Sequence, residues 1–353
     1  MNIAVFFGGK SVEHEVSIQS AKNIITTLKE MKNINIFPIF VDKNGGWHLS
    51  NDNLDNIKII SGIRYDFTSN EFIYKNKKIK IDVAFSMIHG NTGEDGKLQG
   101  FFETADIAYT GCDLLSSAIT MNKKLSKTIA EREGISVLDD ITVSINDFKR
   151  DRDSIISAAK RMKMPLFVKP NSLGSSVGVR KVKSISELTP SIENAFMYED
   201  KIMIEKGVDS AREIVCGLLG NNESPDASPC GEIRVKGKHE FYDYNAKYTD
   251  ENGMELLIPA EINLKTAEKI QLSAKKIFKA LGCYGFARAD FLMDPKDNKI
   301  YFCEINTIPG FTSHSLFPKL FEKKGIAIKE QVKKILNLAI ERKSYQSNFK
   351  KSI

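Results

Sequence analysis

Apolar and polar positions along the chain fall into blocks that read as strand, helix, strand from the first residues. Ile3 to Phe7 is a short apolar run that ends in Gly8-Gly9, so it predicts a buried strand followed by a turn. From about Ser17 to Met31, Ile18, Ala21, Ile24, Ile25 and Leu28 recur at helical spacing, which predicts a helix with one buried face. Further strands are predicted near Ile36 to Val41 and Val83 to Ile88. Strands alternating with helices imply a parallel sheet covered by helices. The stretch Ser50 to Lys80 is polar and irregular, and predicts an excursion from that sheet with a small hairpin.

A second unit begins near Met121. Helices around Lys123 to Glu133 and Ser154 to Met162 lead into the strand Leu166 to Lys169, the loop Pro170 to Gly178 and the strand Val179 to Val182. A helix over about Ser186 to Met197 precedes the strand Lys201 to Glu205. A third unit starts near Glu213. It holds strands, a polar stretch at 236–253, a helix near Leu264 to Leu281, a strand pair within 285–306, and a terminal helix from about Ala327 to Arg342. The last ten residues are polar and predict a frayed end.

Composition is that of an ordinary globular protein, with 42% apolar and 27% charged residues among 353. No apolar run reaches the roughly 18 residues that span a bilayer, and the N-terminus lacks the pattern of a signal peptide. These features predict a cytoplasmic protein without a membrane segment. The five cysteines are dispersed with no CxxC pair, which favours reduced thiols over a disulfide framework or zinc site. The net charge of +6 comes from scattered lysines and reads as a solvated surface rather than a nucleic-acid interface.

Two segments carry the strongest chemical signal, Gly285-Phe286-Ala287-Arg288-Ala289-Asp290-Phe291 and Tyr301-Phe302-Cys303-Glu304-Ile305-Asn306. The turn Asp294 to Asn298 between them predicts a hairpin. Strand side chains alternate faces, so Arg288 and Asp290 share one face, as do Glu304 and Asn306. A register centred on the turn puts Asp290 opposite Glu304 and Arg288 opposite Asn306. Like charges directly across a ladder are destabilising. Two carboxylates and an amide oxygen fit Mg²⁺ bound together with phosphates. The other reading is a polar outer face on which Arg288 neutralises the acids, and the pattern alone does not choose between them.

Lys169 stands at the entrance of a loop of small residues, Pro170 to Gly178, whose backbone N–H groups and hydroxyls could approach phosphates. No Gly-Lys-Ser/Thr closes it, and Ala4 spoils the Walker A spacing before Gly9-Lys10-Ser11. Two further loops, 8–17 and 89–96, follow strands of the first unit, where open α/β sheets bind ligands. Taken singly, Glu15 could be a helix-start acid and His89 a satisfied loop histidine.

Taken together, the motifs GGKSxEHEVS at 8–17, HGxxGEDGxLQG at 89–100, GSSVGV at 174–179, YDYxAKY at 242–248 and EINTxPGFTSHS at 304–315 are similar to those of the D-alanine–D-alanine ligases of the ATP-grasp superfamily. The resemblance covers nearly the whole chain, in family order. It implies an α/β fold, α+β in part. Its domains would be an N-terminal parallel-sheet domain at 1–121, a central domain at 122–212 with the phosphate loop, and a C-terminal domain at 213–353 with the metal site and a lid. It implies ATP as substrate, two Mg²⁺ ions for which Mn²⁺ can substitute, D-alanine as the small-molecule partner, a homodimer, and a place in peptidoglycan synthesis.

The resemblance also implies roles. Lys123 and Lys169 would contact phosphates under the loop of Ser175 and Ser176, and Glu205 and Glu213 would hold adenine and ribose. Asp290, Glu304 and Asn306 would bind the metal. Glu15 would hold the ammonium of the first D-alanine with His89 nearby, and Glu15, Ser175 and Tyr248 would link the first domain, the loop and the lid. Arg288 and the Gly310 N–H would form an oxyanion hole, and Ser315 and Lys247 would meet the second carboxylate. In two places the sequence departs from the family pattern. The segment Asp209 to Arg212 is one residue longer than usual, and Asn122 stands where the family often has Asp. Two alternatives remain: a relative using D-lactate or D-serine as second substrate, and a non-catalytic nucleotide binder, against which the retained lysines and metal-ligand set argue. Tyr248 argues against D-lactate; D-serine is harder to exclude, because D-serine ligases can share EINTxPGFTSHS, although GGKSxEHEVS and YDYxAKY favour D-alanine.

Overall fold

In the computed structural model, which describes residues 1–236 and 253–349, the opening apolar run becomes the strand Asn2–Gly8 near the middle of a six-stranded sheet. Ile3 to Phe7 are all fully buried, because both faces of the strand are covered and no alternation is needed. The strand runs parallel to Asn35–Val41 on one side and to Val83–Ser86 on the other, and Ala108–Tyr109 continues the parallel order. The helix His14–Lys29 lays Ile18, Ala21, Ile24, Ile25 and Leu28 on this sheet. It begins at His14, earlier than the periodicity suggested, and Glu13 is its N-cap residue.

The excursion after Ser50 is larger than a hairpin. Trp47–Ser50 and Ile59–Gly62 extend the first sheet in antiparallel fashion, and Arg64–Asp66, Glu71–Tyr74 and Lys77–Ile79 form a separate three-stranded sheet. Its packing rests on single aromatic residues: Tyr65 and Phe72 meet ring to ring at 5.0 Å, and Trp47 meets Phe101 at 5.0 Å. Isolated rings leave no periodic pattern in the sequence.

The second sheet is antiparallel, in the order Asp140–Ser144, Lys201–Lys206, Leu166–Pro170, Arg180–Val182. The third is ordered Met254–Leu257, Gly231–Val235, Arg212–Gly220, Gly285–Met293, Ile300–Asn306, with Asp226–Ala227 beside its central strand. In the last pair Arg288 lies opposite Asn306 and Asp290 opposite Glu304, one residue out of step with the pairs nearest the turn. A bulge after Asp290 then shifts the pairing, so Phe291 faces Phe302, and the extra residue bends the strand next to the two acids.

One apolar core joins the first sheet to the third. Val5, Phe7 and Ile24 share it with Phe286, Phe317 and Val332. Phe286 is its hinge point, fully buried, with Phe311 and Phe317 rings at 5.8 Å and 5.7 Å. The terminal helix Ile328–Ser347 outlasts the expected end at Arg342. Arg342 explains this: its guanidinium lies 4.1 Å from the Tyr109 ring centroid and donates to the Gly111 and Tyr109 carbonyl oxygens at 2.7 Å and 2.8 Å. A cation held on both an aromatic face and two carbonyls fixes the last turns in place. Among the described residues no helix is long and apolar enough to cross a membrane. All five cysteines are free thiols.

Truncating Phe286 should therefore weaken both sheets together. We expect Phe286→Ala to cost about 3–5 kcal/mol in urea unfolding, still as one transition; a loss below about 1 kcal/mol would mean that the shared core does not hold the sheets together.

Candidate active site

The second and third sheets flank a cavity of about 630 Å³, within the range of small-molecule sites. Leu138, Phe167, Val179 and Leu292 give it an apolar end, while Lys123, Lys169, Arg288, Asp290 and Glu304 give it a charged end.

At the charged end the hairpin presents Asp290 and Glu304 side by side. Arg288 grips Asp290 with two hydrogen bonds of 2.7 Å, and Asn306 Nδ2 donates to the same carboxylate at 3.1 Å. The Lys123 ammonium lies 3.3 Å from Glu304. Among the described residues each acid thus has a cation of the protein beside it, as the like-charge neighbours require. No group of three or more His, Cys, Asp or Glu able to hold a metal occurs among the described residues. The set here is two carboxylates and, once the Asn306 nitrogen is committed to Asp290, an amide oxygen. That all-oxygen, incomplete set suits a divalent cation whose remaining ligands come from phosphates.

Lys123 opens the helix Lys123–Arg132. Its ammonium donates to the Leu173 carbonyl at 2.6 Å, and its backbone N–H donates to the Asn171 carbonyl at 2.9 Å, so the phosphate-loop candidate is tied to this helix. Asn122 caps the helix, its Oδ1 accepting from the Leu125 N–H at 3.0 Å. Asn and Asp are equally good caps, so the departure from the family pattern costs nothing here. Lys169 is buried and donates to Glu205 at 2.6 Å. Burial, foremost, lowers the proton affinity of Lys169. Ser175 and Ser176 hold left-handed φ values of 52° and 57°, a conformation that non-glycine residues adopt only where the surroundings impose it. Glu205, Glu213 and Ser176 line the cavity. Glu213 reaches it despite the longer preceding segment, which Ser210 turns back with φ 52°.

Glu15 does not face this site. Its side chain is 75% exposed and pairs with Lys43 at 3.3 Å. The acid that turns inward is Glu13, buried at the helix start. A Cβ added at Gly90 would lie 2.8 Å from Glu13 Oε2, and one at Gly174 3.5 Å, so Glu13 sits between the loop after the third parallel strand and the phosphate-loop candidate. The physical reason is the early helix: with His14 already helical, Glu15 falls on the outer face of the first turn. His89, expected near the first D-alanine, is a buried ring. It is 3% exposed, with Nδ1 bonded to the Ile308 carbonyl at 2.9 Å and Nε2 to Ser20 Oγ at 3.2 Å. Burial lowers its pKa, so it is a neutral ring that orders the segment after the metal-candidate strand.

Sequence reasoning also passed over Glu94, in the same GEDG motif. Its carboxyl accepts from the Gly90 N–H at 3.0 Å and the Ile308 N–H at 3.1 Å. It stands beside Asp95 in the same turn, and nothing in the sequence separates the two acids. Gly310 lies in the segment His89 orders; a Cβ there would be 2.7 Å from Ser315 Oγ, so any side chain at 310 would have to displace that hydroxyl. Ser315 Oγ accepts from the Thr312 N–H at 2.8 Å and precedes the helix Leu316–Lys323. Lys247 and Tyr248, with nearly all of the expected lid, lie outside the described residues.

Burial and then the neighbouring Glu13 push the Glu94 carboxyl up to about 8. A carboxyl with a raised folded pKa holds its proton longer than the unfolded chain does, so stability falls as pH rises from the ordinary carboxylate range towards 8. Glu94→Gln carries no such proton. We expect its stability deficit against the parent to shrink between pH 5 and pH 8 in urea melts; a deficit independent of pH would contradict a protonated Glu94.

The comparisons with known proteins agree with this geometry. The family described as D-ala D-ala ligase N-terminus matches residues 2–112, and that described as D-ala D-ala ligase C-terminus matches residues 129–337. A D-alanine--D-alanine ligase of Caldicellulosiruptor bescii is 40% identical over 100% of this chain and 98% of its own. Among solved structures, the D-alanine-D-alanine ligase of Coxiella burnetii has a TM-score of 0.83 at 34% identity, covering 99% of this chain and 97% of its own. The VanG D-Ala:D-Ser ligase of Enterococcus faecalis has a TM-score of 0.83 at 33% identity, covering 96% and 99%. A fold, a charged cavity and a full-length similarity that coincide in this way place the chain in the D-alanine–D-alanine ligase family.

Proposed function

We propose that this protein uses ATP to join two D-alanine molecules into D-alanyl-D-alanine, through an acyl phosphate, for peptidoglycan synthesis. The observation that carries this reading is the adjacency of Asp290 and Glu304 at a cavity end that also holds Lys123 and Lys169. Two acids beside two lysines suit a phosphoryl group and its cation, and little else. The sequence match over the whole chain supports the same reading.

A carboxylate is a poor electrophile, so its oxygen must first take the γ-phosphoryl group of ATP. Asp290, Glu304 and Asn306 are the residues that would hold two Mg²⁺ ions, or Mn²⁺ in their place. Bound there, the metal neutralises charge on the phosphates. Lys123 and Lys169 add two ammonium groups to that task, and Ser175 and Ser176 close the loop over the phosphates. Glu205 and Glu213 line the same cavity and are the residues we assign to adenine and ribose. Glu13, in place of Glu15, is set to bind the ammonium of the first D-alanine, since its carboxylate lies between Gly90 and the phosphate loop. The amine of the second D-alanine then attacks the acyl phosphate. Arg288 and the Gly310 N–H steady the resulting oxyanion, with Ser315 and Lys247 on the second carboxylate. Arg288, bonded to Asp290 here, would turn in part to the substrate for this, its place on Asp290 being one that a bound cation would take. Acyl phosphates hydrolyse readily, so water must be kept out, a role we assign to the 236–253 lid with Tyr248.

We further take the chain to act in the cytoplasm as a homodimer, with domains at 1–121, 122–212 and 213–353. D-serine as second substrate is the alternative, because one structural neighbour is named a D-Ala:D-Ser ligase. The relatives' names favour D-alanine.

Phosphate release by the purified chain with ATP, Mg²⁺ and D-alanine, D-serine or D-lactate, with the product identified by mass, tests the reading. We expect D-alanyl-D-alanine. Glu13→Gln should lower kcat/KM for D-alanine about 10- to 100-fold, the value of one charge-assisted hydrogen bond, while Glu15→Gln stays within about twofold. No phosphate release with D-alanine would refute the function, and equal losses in the two variants would refute the role of Glu13.

A further inference from the structure

Lys127 is a buried cation that the reaction as described leaves without a task. It lies one helical turn after Lys123, with its side chain 1% exposed, and the Glu205 carboxylate, 4% exposed, is its ion-pair partner. Glu205 is shared. Its Oε1 lies against Lys127 Nζ, and its Oε2 accepts from Lys169 Nζ at 2.6 Å. Asp140, Lys124, Lys169 and the Cys303 thiol are the other titratable groups around Lys127. One buried carboxylate therefore holds two buried ammonium groups.

An ion pair out of contact with water is hard to open, because it strands a buried charge. Lys169 has to do this if it is to serve phosphates, since in the structure it is bonded to Glu205. We propose that Lys127 is a positioning residue that keeps Glu205 neutralised while Lys169 transfers from Glu205 to the nucleotide phosphates. The inference rests on the nucleotide reading of this cavity. Without Lys127, Glu205 would have Lys169 as its one remaining partner, and phosphates would compete against a buried carboxylate for the same ammonium. With Lys127 present, Lys169 can leave and the carboxylate stays paired. Burial, and after it the Lys169 ammonium, holds the Lys127 pKa down to about 7. Departure of Lys169 relieves the second of these and strengthens the hold of Lys127 on Glu205.

The account makes an unusual prediction about Glu205. In Lys127→Met the fold should survive, because Lys169 still neutralises Glu205. ADP affinity, measured by calorimetry, should fall about 10- to 100-fold. Adding Glu205→Gln removes the charge that traps Lys169 while its amide oxygen keeps an acceptor for the adenine amino group, so Lys127→Met/Glu205→Gln should bind ADP at least about threefold more tightly than Lys127→Met alone. A packing role for Lys127 predicts no such rescue. Lys127→Arg keeps the cation and should stay within about threefold of the parent; it carries the test if the methionine variant unfolds. ADP affinity of Lys127→Met within about twofold of the parent, a double variant no tighter than Lys127→Met, or an arginine variant that binds ADP about tenfold or more weakly than the parent would each overturn the proposal. The parent chain separates the two readings. If it binds ADP and ligates D-alanine while Lys127→Met binds equally well, this inference alone falls; if it binds no ADP, the nucleotide reading falls with it.

Discussion

Two carboxylates placed directly across a β-ladder repel one another, and the site is arranged around that repulsion. Asp290 and Glu304 are neighbours because the hairpin register makes them so. The protein answers with Arg288 on one acid and Lys123 on the other. These are provisional partners. Lys123 also ties the phosphate loop through the Leu173 carbonyl, and Arg288 is the group expected to face the reacting carbonyl. A divalent cation with phosphates would take over the carboxylates and release both side chains to the substrate. The same logic recurs deeper in the cavity, where Glu205 is shared by Lys127 and Lys169. In both places a protein cation stands where ligand charge will enter, which keeps the ligand-free site neutral enough to fold.

That arrangement depends on a scaffold that brings the second and third sheets to one cavity and sets the first sheet's loops beside the phosphate loop. The first and third sheets are welded by a common apolar core through Phe286, Phe311 and Phe317. Across this weld run the polar contacts that register the first sheet's loops against the metal-candidate strand. His89 and Glu94 bond the Ile308 carbonyl and N–H respectively, and Ser20 Oγ accepts from the Phe311 N–H at 3.1 Å. Glu13 is delivered by the same loops. The second sheet carries Lys169 and the small-residue loop, and is tied to the third sheet's acids by Lys123 at a helix start.

Much of this was legible in the sequence wherever one local rule sufficed. Alternation placed Asp290 and Glu304 on one face and the expected pairing holds, but the turn alone would set Asp290 opposite Cys303, and it is the bulge after Asp290 that brings Glu304 across from it. The buried strand Asn2–Gly8 followed from an unbroken apolar run ending in glycines, and the buried face of the helix His14–Lys29 from its spacing. Positions decided by a helix boundary were not legible. Glu13 and Glu15 flank one histidine, and starting the helix at Ser17 leaves both in a loop with nothing to separate them. Starting it at His14 buries one and exposes the other. The three-stranded sheet at 64–79 was hidden because its packing uses lone aromatics. Lys127 carried a weak signal, its position four residues after Lys123 on one helix face, but burial of a lysine depends on the partner that tertiary structure supplies.

The central claim is that Asp290 and Glu304 are paired for a cation and the phosphates it accompanies, rather than forming a polar surface balanced by Arg288. Turnover of Glu304→Gln at saturating Mg²⁺ tests it most directly, with the fold checked by urea melting. Glutamine keeps the shape and relieves the repulsion with Asp290, so stability should be unchanged or raised. Turnover should fall at least about 100-fold, as when charge stabilisation of a transferring phosphoryl group is removed. A folded Glu304→Gln protein with the turnover of the parent would contradict the account.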